Sequence, residues 1–241
     1  MKQPQTKPIT IGLYLLIFST FNAIAQESNT NVQIVGAMKN VMWKGQLYGN
    51  IYLDTIANKE HLYGLGPLDF LTGELLIIDG KSYKSTVMAD QSMKVEESFD
   101  ARAPFFGYTN IHKWTELDLP DNVQNIEQLE TFIDNATKSS KRPFMFKLMG
   151  EVETAEIHVV NLPKGSNVSS PDEAHKGQVT FPLTNEQVEI VGFFSTEHTA
   201  ILTHHDTFLH LHLITQNRQK MGHLDKLMLK KGTAKLYLPA E

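Results

Sequence analysis

Residues 208–215 read "FLHLHLIT", a strict alternation of leucine with histidine. Successive side chains of a strand point to opposite faces, so this pattern is satisfied by an extended strand and by little else. Leu209, Leu211 and Leu213 share one face and go to a core, while His210 and His212 share the other. Two imidazoles on one strand face stand close enough to hold one ion. A third donor must come from elsewhere. His223 supplies it if the polar run "TQNRQKMG" turns the chain back. Three histidines with an open fourth position is the catalytic zinc pattern, although neutral imidazole also suits copper, nickel, cobalt or iron. Taken alone, H-x-H is more often two polar residues on a solvated face. His204 and His205 lie just upstream and show that the region is histidine-rich in any case; they are taken as bystanders. A cupin also begins with H-x-H, but it wants a glutamate a few residues later, where Gln216 and Asn217 stand.

The strand is not isolated. "NVQIVGAM" (31–38), "GELLIIDGKSYKST" (73–86), "RPFMFKLMGEVETAEIHVV" (142–160), "GQVTFPL" (177–183) and "QVEIVGFFS" (187–195) are rich in β-branched and aromatic residues and bounded by turn formers. Asp79-Gly80 marks a hairpin turn. Helical periodicity is confined to "DNVQNIEQLETFIDNATKSS" (121–140), with Asp121 as its expected N-cap, and to a short piece at 49–58. "NLPKGSNVSSPDEAHKG" (161–177) is the most loop-like stretch, a linker or a mobile surface loop. Strands outnumber helices, so the expected class is α+β and sheet-dominated.

The first 25 residues are set apart from this fold. Lys2 and Lys7 precede an apolar stretch (9–21) too short to span a bilayer comfortably, and Ala23 and Ala25 offer a cleavage site. This is a signal-peptide pattern, and the expectation is an exported chain, periplasmic or secreted, starting near Gln26. Loss of the two leader lysines takes the net charge from −5 to −7. A surface of that sign argues against nucleic acid or an anionic membrane as partner. The chain has no cysteine, so no disulfide holds it. Core packing, with or without a metal, must do so.

Four blocks in the same order resemble the alpha-acetolactate decarboxylase family. "FLHLHLITQNRQKMGHLDKL" is similar to that family's H-x-H, S/T-x-x-R and G-G-H-V-L-D segments, matching at Thr215, Arg218, Gly222, His223 and Leu224-Asp225. "LYGLGPLDFLTGELLIIDGKSY" (62–83), "APFFGYTNI" (103–111) and "VEIVGFF" (188–194) resemble three further segments. The resemblance implies conversion of 2-acetolactate, a 2-hydroxy-3-oxo acid, to acetoin and CO2. It also implies a two-domain fold with a zinc site in the cleft, expected here as a mixed-sheet unit over 26–160 and a β-rich unit over 161–241. By the same resemblance His210, His212 and His223 are the zinc ligands, and Glu74 and the terminal Glu241 are the acidic site residues. A homodimer is left open.

Two positions depart from the family pattern. Its Thr in the G-T-F segment is Pro67 here, and its active-site arginine is replaced by His158, which becomes the third catalytic candidate; Arg142 is too far upstream to substitute. These departures keep two alternatives in view: a related zinc enzyme with a changed substrate, and a non-catalytic metal-stabilised protein of the same fold.

Overall fold

The computed structural model describes Met1 and residues 31–240. The expected leader from residue 2 onward, with its cleavage site, and Glu241 lie outside the described residues.

Among the described residues, fourteen strands and three α-helices follow one another. In the first half come β1 (Gln33–Val35), α1 (Met38–Lys44), β2 (Ile51–Tyr52), β3 (Leu62–Pro67), β4 (Glu74–Ile78), β5 (Lys81–Val87), β6 (Met93–Glu97), β7 (Arg102–Ala103) and β8 (Phe106–Asn110). Then come β9 (Trp114–Asp118), α2 (Ile126–Ala136), β10 (Phe144–Val159), α3 (Pro171–Ala174), β11 (Val179–Phe194), β12 (Leu209–Thr215), β13 (Met221–Leu229) and β14 (Lys235–Pro239). One six-stranded sheet has the order β1-β8-β3-β4-β5-β6, the other β11-β12-β13-β10-β14-β9. The sheet-dominated class is as expected.

The internal divisions are not. Every pairing between these strands is antiparallel, so the first sheet is not the mixed sheet expected. The chain passes from the first sheet to the second between Asn110 and Trp114. The expected boundary at 160 falls instead inside the connection between β10 and β11, two strands of one hairpin paired along their whole length.

That hairpin organises the second sheet. β11 pairs onward with β12, β12 with β13, and β13 returns to β10, which closes a ring of four strands. The ring's leucines, among them Leu209, Leu211 and Leu213, form one core together with Leu129 and Ile133 of α2. The opposite face packs against the first sheet through Met145, Val191, Phe193 and Ile214, which meet Leu65, Leu76 and Tyr83. β12 is therefore buried on both faces, and its histidine face lies in the seam between the sheets.

Local signals account for the shifted boundaries. α2 begins at Ile126, capped by Asn125, whose side chain accepts from the Gln128 N–H while the Gln128 side chain accepts from the Asn125 N–H. This reciprocal capping box outcompetes Asp121. The runs 177–183 and 187–195 fuse into the single strand β11 because Asn185, at φ 53°, takes up an irregularity without ending the pairing. The short helix expected near 49–58 shrinks to one 3-10 turn, Leu53–Thr55. The Asp79-Gly80 turn joins β4 to β5 as expected.

Candidate metal and active site

Register brings the site together. His212 on β12 pairs opposite His223 on β13, and His223 pairs opposite His158 on β10. Three neighbouring strands thus present a row of imidazoles on one face, with ring centroids 5.5 Å apart for the first pair and 4.9 Å for the second. His210, two residues along β12, lies 5.2 Å from both His212 and His223. All four are buried.

His204 joins them from the loop before β12. Ligand nitrogens of His204, His210 and His223 all lie within 4.8 Å of one another. His204 is therefore no bystander, contrary to the expectation from sequence. His205 is one: it is exposed, edge-on to Trp43. His212 stands slightly apart from the trio, beside the carboxylate of Glu74.

Glu74 opens β4 in the first sheet and faces the histidines across the seam. Its Oε2 is 3.6 Å from His212 Nε2, and its Oε1 accepts from the Val160 N–H at 3.3 Å. Burial pushes its carboxyl well above the usual range; the charge of Asp225 adds to this and the Val160 N–H opposes it. Burial also drives the histidines toward the neutral form. His212 falls to about 3, with the positive charge available to His158 as second cause, and His204 falls to about 4. His210 and His223 are pushed well below the ordinary value, burial again leading and neighbouring imidazoles following.

Hydrogen bonds fix several rings. His210 Nδ1–H donates to the Leu202 carbonyl at 2.9 Å, which leaves Nε2 with its lone pair free. His158 Nδ1–H is held between both oxygens of Asp225 at 2.8 and 2.9 Å. His175, at the end of α3, donates Nδ1–H to the Pro171 carbonyl at 2.7 Å and packs edge-on to His158. A metal-ligating histidine characteristically gives its other N–H to a carbonyl or carboxylate in this way.

The donor set fits a metal ion. Both nitrogens of His212 and Nε2 of His204 are buried without a hydrogen-bond partner; the Leu75 backbone influences His212 but falls short of hydrogen-bond geometry. Buried polar atoms are rarely left unsatisfied, and an ion is one partner that would satisfy several at once. A cavity of about 30 Å³ lies among these side chains, bounded by Pro67, Glu74, Phe105, His158, His175, His204, His210 and His223, with Met38 and Met42 of α1 above. It is enough for one ion or one water.

Of the residues expected from sequence, the structure gathers Glu74, His158, His210, His212 and His223 at this one point. Pro67 borders it too. Thr215 and Arg218 do not: they close the β12–β13 turn, where the Arg218 N–H donates to the Thr215 carbonyl and the guanidinium pairs with Glu189 at 3.2 Å. His204, His175 and Asp225 were given no role by sequence reasoning. Asp225 lay within a recognised segment, but nothing in its spacing indicated a histidine partner 67 residues away.

Two packed sheets with a histidine-rich seam and a buried glutamate make a site that could hold a metal ion. The alpha-acetolactate decarboxylase family model matches residues 35–238, so the chain belongs to this family. An alpha-acetolactate decarboxylase of Methanosarcina mazei is 27% identical over 174 residues, which are 72% of this chain and 58% of that protein. One from Lactococcus lactis is 24% identical over 198 residues, 80% of each chain. The chain thus spans little more than half of the first relative and four-fifths of the second. The crystal structure of an alpha-acetolactate decarboxylase from Bacillus subtilis strain 168 has the same fold, with a TM-score of 0.69 over 87% of this chain and 86% of that one at 22% identity. A Staphylococcus aureus protein of unknown function, described as similar to alpha-acetolactate decarboxylase, matches with a TM-score of 0.68 over the same shares at 19% identity. The named relatives are carboxy-lyases by their names.

Proposed function

We propose that this chain catalyses the metal-dependent decarboxylation of 2-acetolactate to acetoin and CO2, with His210, His212 and His223 holding the ion and zinc the preferred one. The observation that carries this reading is the meeting of three buried, neutral strand histidines with one buried carboxyl group in the seam between the sheets. Family membership supplies the substrate.

When bound, the ion contributes Lewis acidity toward the substrate's adjacent hydroxyl and ketone oxygens. The chain's residues do the rest. Loss of CO2 leaves an electron pair on the carbon next to the ketone, and one proton must then be delivered to that carbon. Glu74 is suited to deliver it, because burial raises its carboxyl well above the usual range and so favours the protonated form. The carboxylate left behind recovers its proton from solvent, so one proton is consumed per CO2 released. His158, with Nδ1–H committed to Asp225, presents Nε2 as an acceptor, and it orients the substrate hydroxyl. Leu65, Leu76 and the other apolar residues of the seam keep bulk water away. Export after cleavage near Ala25 remains part of the proposal. So does Glu241 as a second acidic residue.

The test is acetoin formation by purified, zinc-loaded protein given acetolactate, against His212→Ala. Acetoin from wild type and only background from the variant is expected. No acetoin from fully loaded wild type would overturn the assignment.

A further inference from the structure

We propose that His204 is a fourth nitrogen ligand of the bound ion, supplied by a loop outside the strands that carry the other three. The inference rests on the metal-dependent reading above; with four imidazoles the ion would accept substrate oxygens only by taking more than four ligands. His204 lies outside the H-x-H…H pattern, on the loop that precedes β12.

Four observations converge. The only group of three metal-ligating side chains found among the described residues with donor atoms mutually within 4.8 Å contains His204, together with His210 and His223. Its ring centroid is 4.7 Å from that of His223 and 5.6 Å from that of His210. Although the residue as a whole is only partly buried, its Nε2 is fully buried and has no hydrogen-bond partner. A neutral imidazole nitrogen left so loses its bond to water and gains nothing in exchange, which costs free energy unless some other group meets it. The adjoining cavity has room for a single ion or water.

The loop is built to hold this position. The Ser195 hydroxyl bonds His198 Nδ1 at 2.8 Å, and the Ala200 N–H donates to the Thr203 carbonyl at 2.9 Å. Leu202 and Thr203 are buried, and it is the Leu202 carbonyl that fixes the tautomer of His210. The segment that delivers His204 is therefore the one that prepares His210 as a ligand. A fourth neutral nitrogen leaves the ion's charge undiminished and biases the site toward zinc, cobalt, nickel or copper and away from magnesium or manganese. Among the side chains that line the cavity, Glu74 is the one with an oxygen donor.

The experiment combines two readouts, neither of which requires turnover. First, X-ray absorption of zinc-loaded wild type counts bound imidazoles directly, without any variant. Four support the proposal, and three overturn it. Second, zinc affinity by chelator competition and the visible spectrum of the cobalt-loaded protein are compared for wild type, His204→Ala, His204→Gln and, as neighbour control, His205→Ala. Loss of the ligand is expected to weaken zinc by roughly 10- to 100-fold, at least the scale seen when groups supporting a metal are disturbed. The cobalt spectrum should change in both His204 variants and stay as wild type in His205→Ala. Unchanged affinity and spectrum in the His204 variants would overturn the proposal while leaving the three-histidine reading intact. A wild type that takes up no zinc would instead overturn that parent reading, and His204 with it.

Discussion

Glu74 carries the sharpest expectation at the scale of single residues. Glu74→Gln keeps the shape and a hydrogen-bond acceptor for the Val160 N–H but cannot cycle a proton. Turnover should fall by about 10²-fold or more with zinc content unchanged, measured as steady-state acetoin formation beside metal analysis. Near-wild-type turnover would reduce Glu74 to a packing residue. His158 makes a second, separable case. With its Nδ1–H bound by Asp225, it is an acceptor toward the cavity, and arginine has no acceptor to offer in its place. His158→Gln should retain zinc and lower kcat/KM by roughly tenfold, the cost of one misplaced hydrogen bond to the reacting substrate. What the sequence showed at this scale followed from local spacing: alternation put His210 and His212 on one face. His204 and the His158–Asp225 pair were not visible, because each depends on contacts that only the closed fold creates. Alternation also states which residues share a face and is silent on what covers that face. Taken alone, the alternation is therefore as consistent with a solvated face as with a buried one; the expectation of a cleft came from the resemblance to the family.

Elements carry the next level of constraint, and Gly222 shows it best. A Cβ at this position would sit 2.4 Å from the His158 carbonyl oxygen, a backbone atom that cannot swing aside. β13 must therefore approach β10 through a glycine, immediately before the proposed ligand His223. Gly222→Ala should push the two strands apart and cost on the order of 1–3 kcal/mol, the usual scale for overpacking. Zinc affinity should drop with it, because His223 leaves its register with His212 and His158. A denaturant melt and a zinc titration on the same sample would check both. Zinc binding as tight as wild type in a destabilised variant would show that ligand placement tolerates a shift of β13. The strands themselves were legible from composition and periodicity. Their partners were less so: the return of β13 to β10 joins segments some 65 residues apart, and no local pattern encodes such a pairing. The start of α2 was misplaced for a different reason. Two capping signals compete within five residues, and the one with a reciprocal partner, Asn125 with Gln128, prevails.

At the scale of the whole molecule, burying so many histidines makes the metal-free protein sensitive to acid. His204, His210, His212 and His223 are all held neutral in the folded state, with His204 pushed down to about 4 and His212 to about 3. In the unfolded chain they take up protons below about pH 6.5. The unfolded state therefore binds more protons there, and stability must fall as pH drops from about 6.5 toward 4. Glu74 acts in the opposite sense. Its raised value favours the folded state below about 4.5 and costs stability as pH rises from there. Between 4.5 and 6.5 four histidines oppose one glutamate, so the histidines decide the sign. Each contributes roughly 1.4 kcal/mol per pH unit at full effect. The melting temperature of metal-stripped protein should decline steeply between pH 6.5 and 5, and zinc should raise it most near neutral pH, where ligands need lose no proton. A flat melting profile over that range would mean that these imidazoles are not sealed from water.

One ion, held by the buried strand histidines, should be required for decarboxylation. Zinc is titrated into metal-stripped protein at near-neutral pH while acetoin released from acetolactate is measured. The rate should start at background, rise linearly with added zinc and break at one ion per chain, and it should stay at background throughout in His212→Ala. Full activity in stripped protein, or none in protein carrying one zinc per chain, would contradict that requirement.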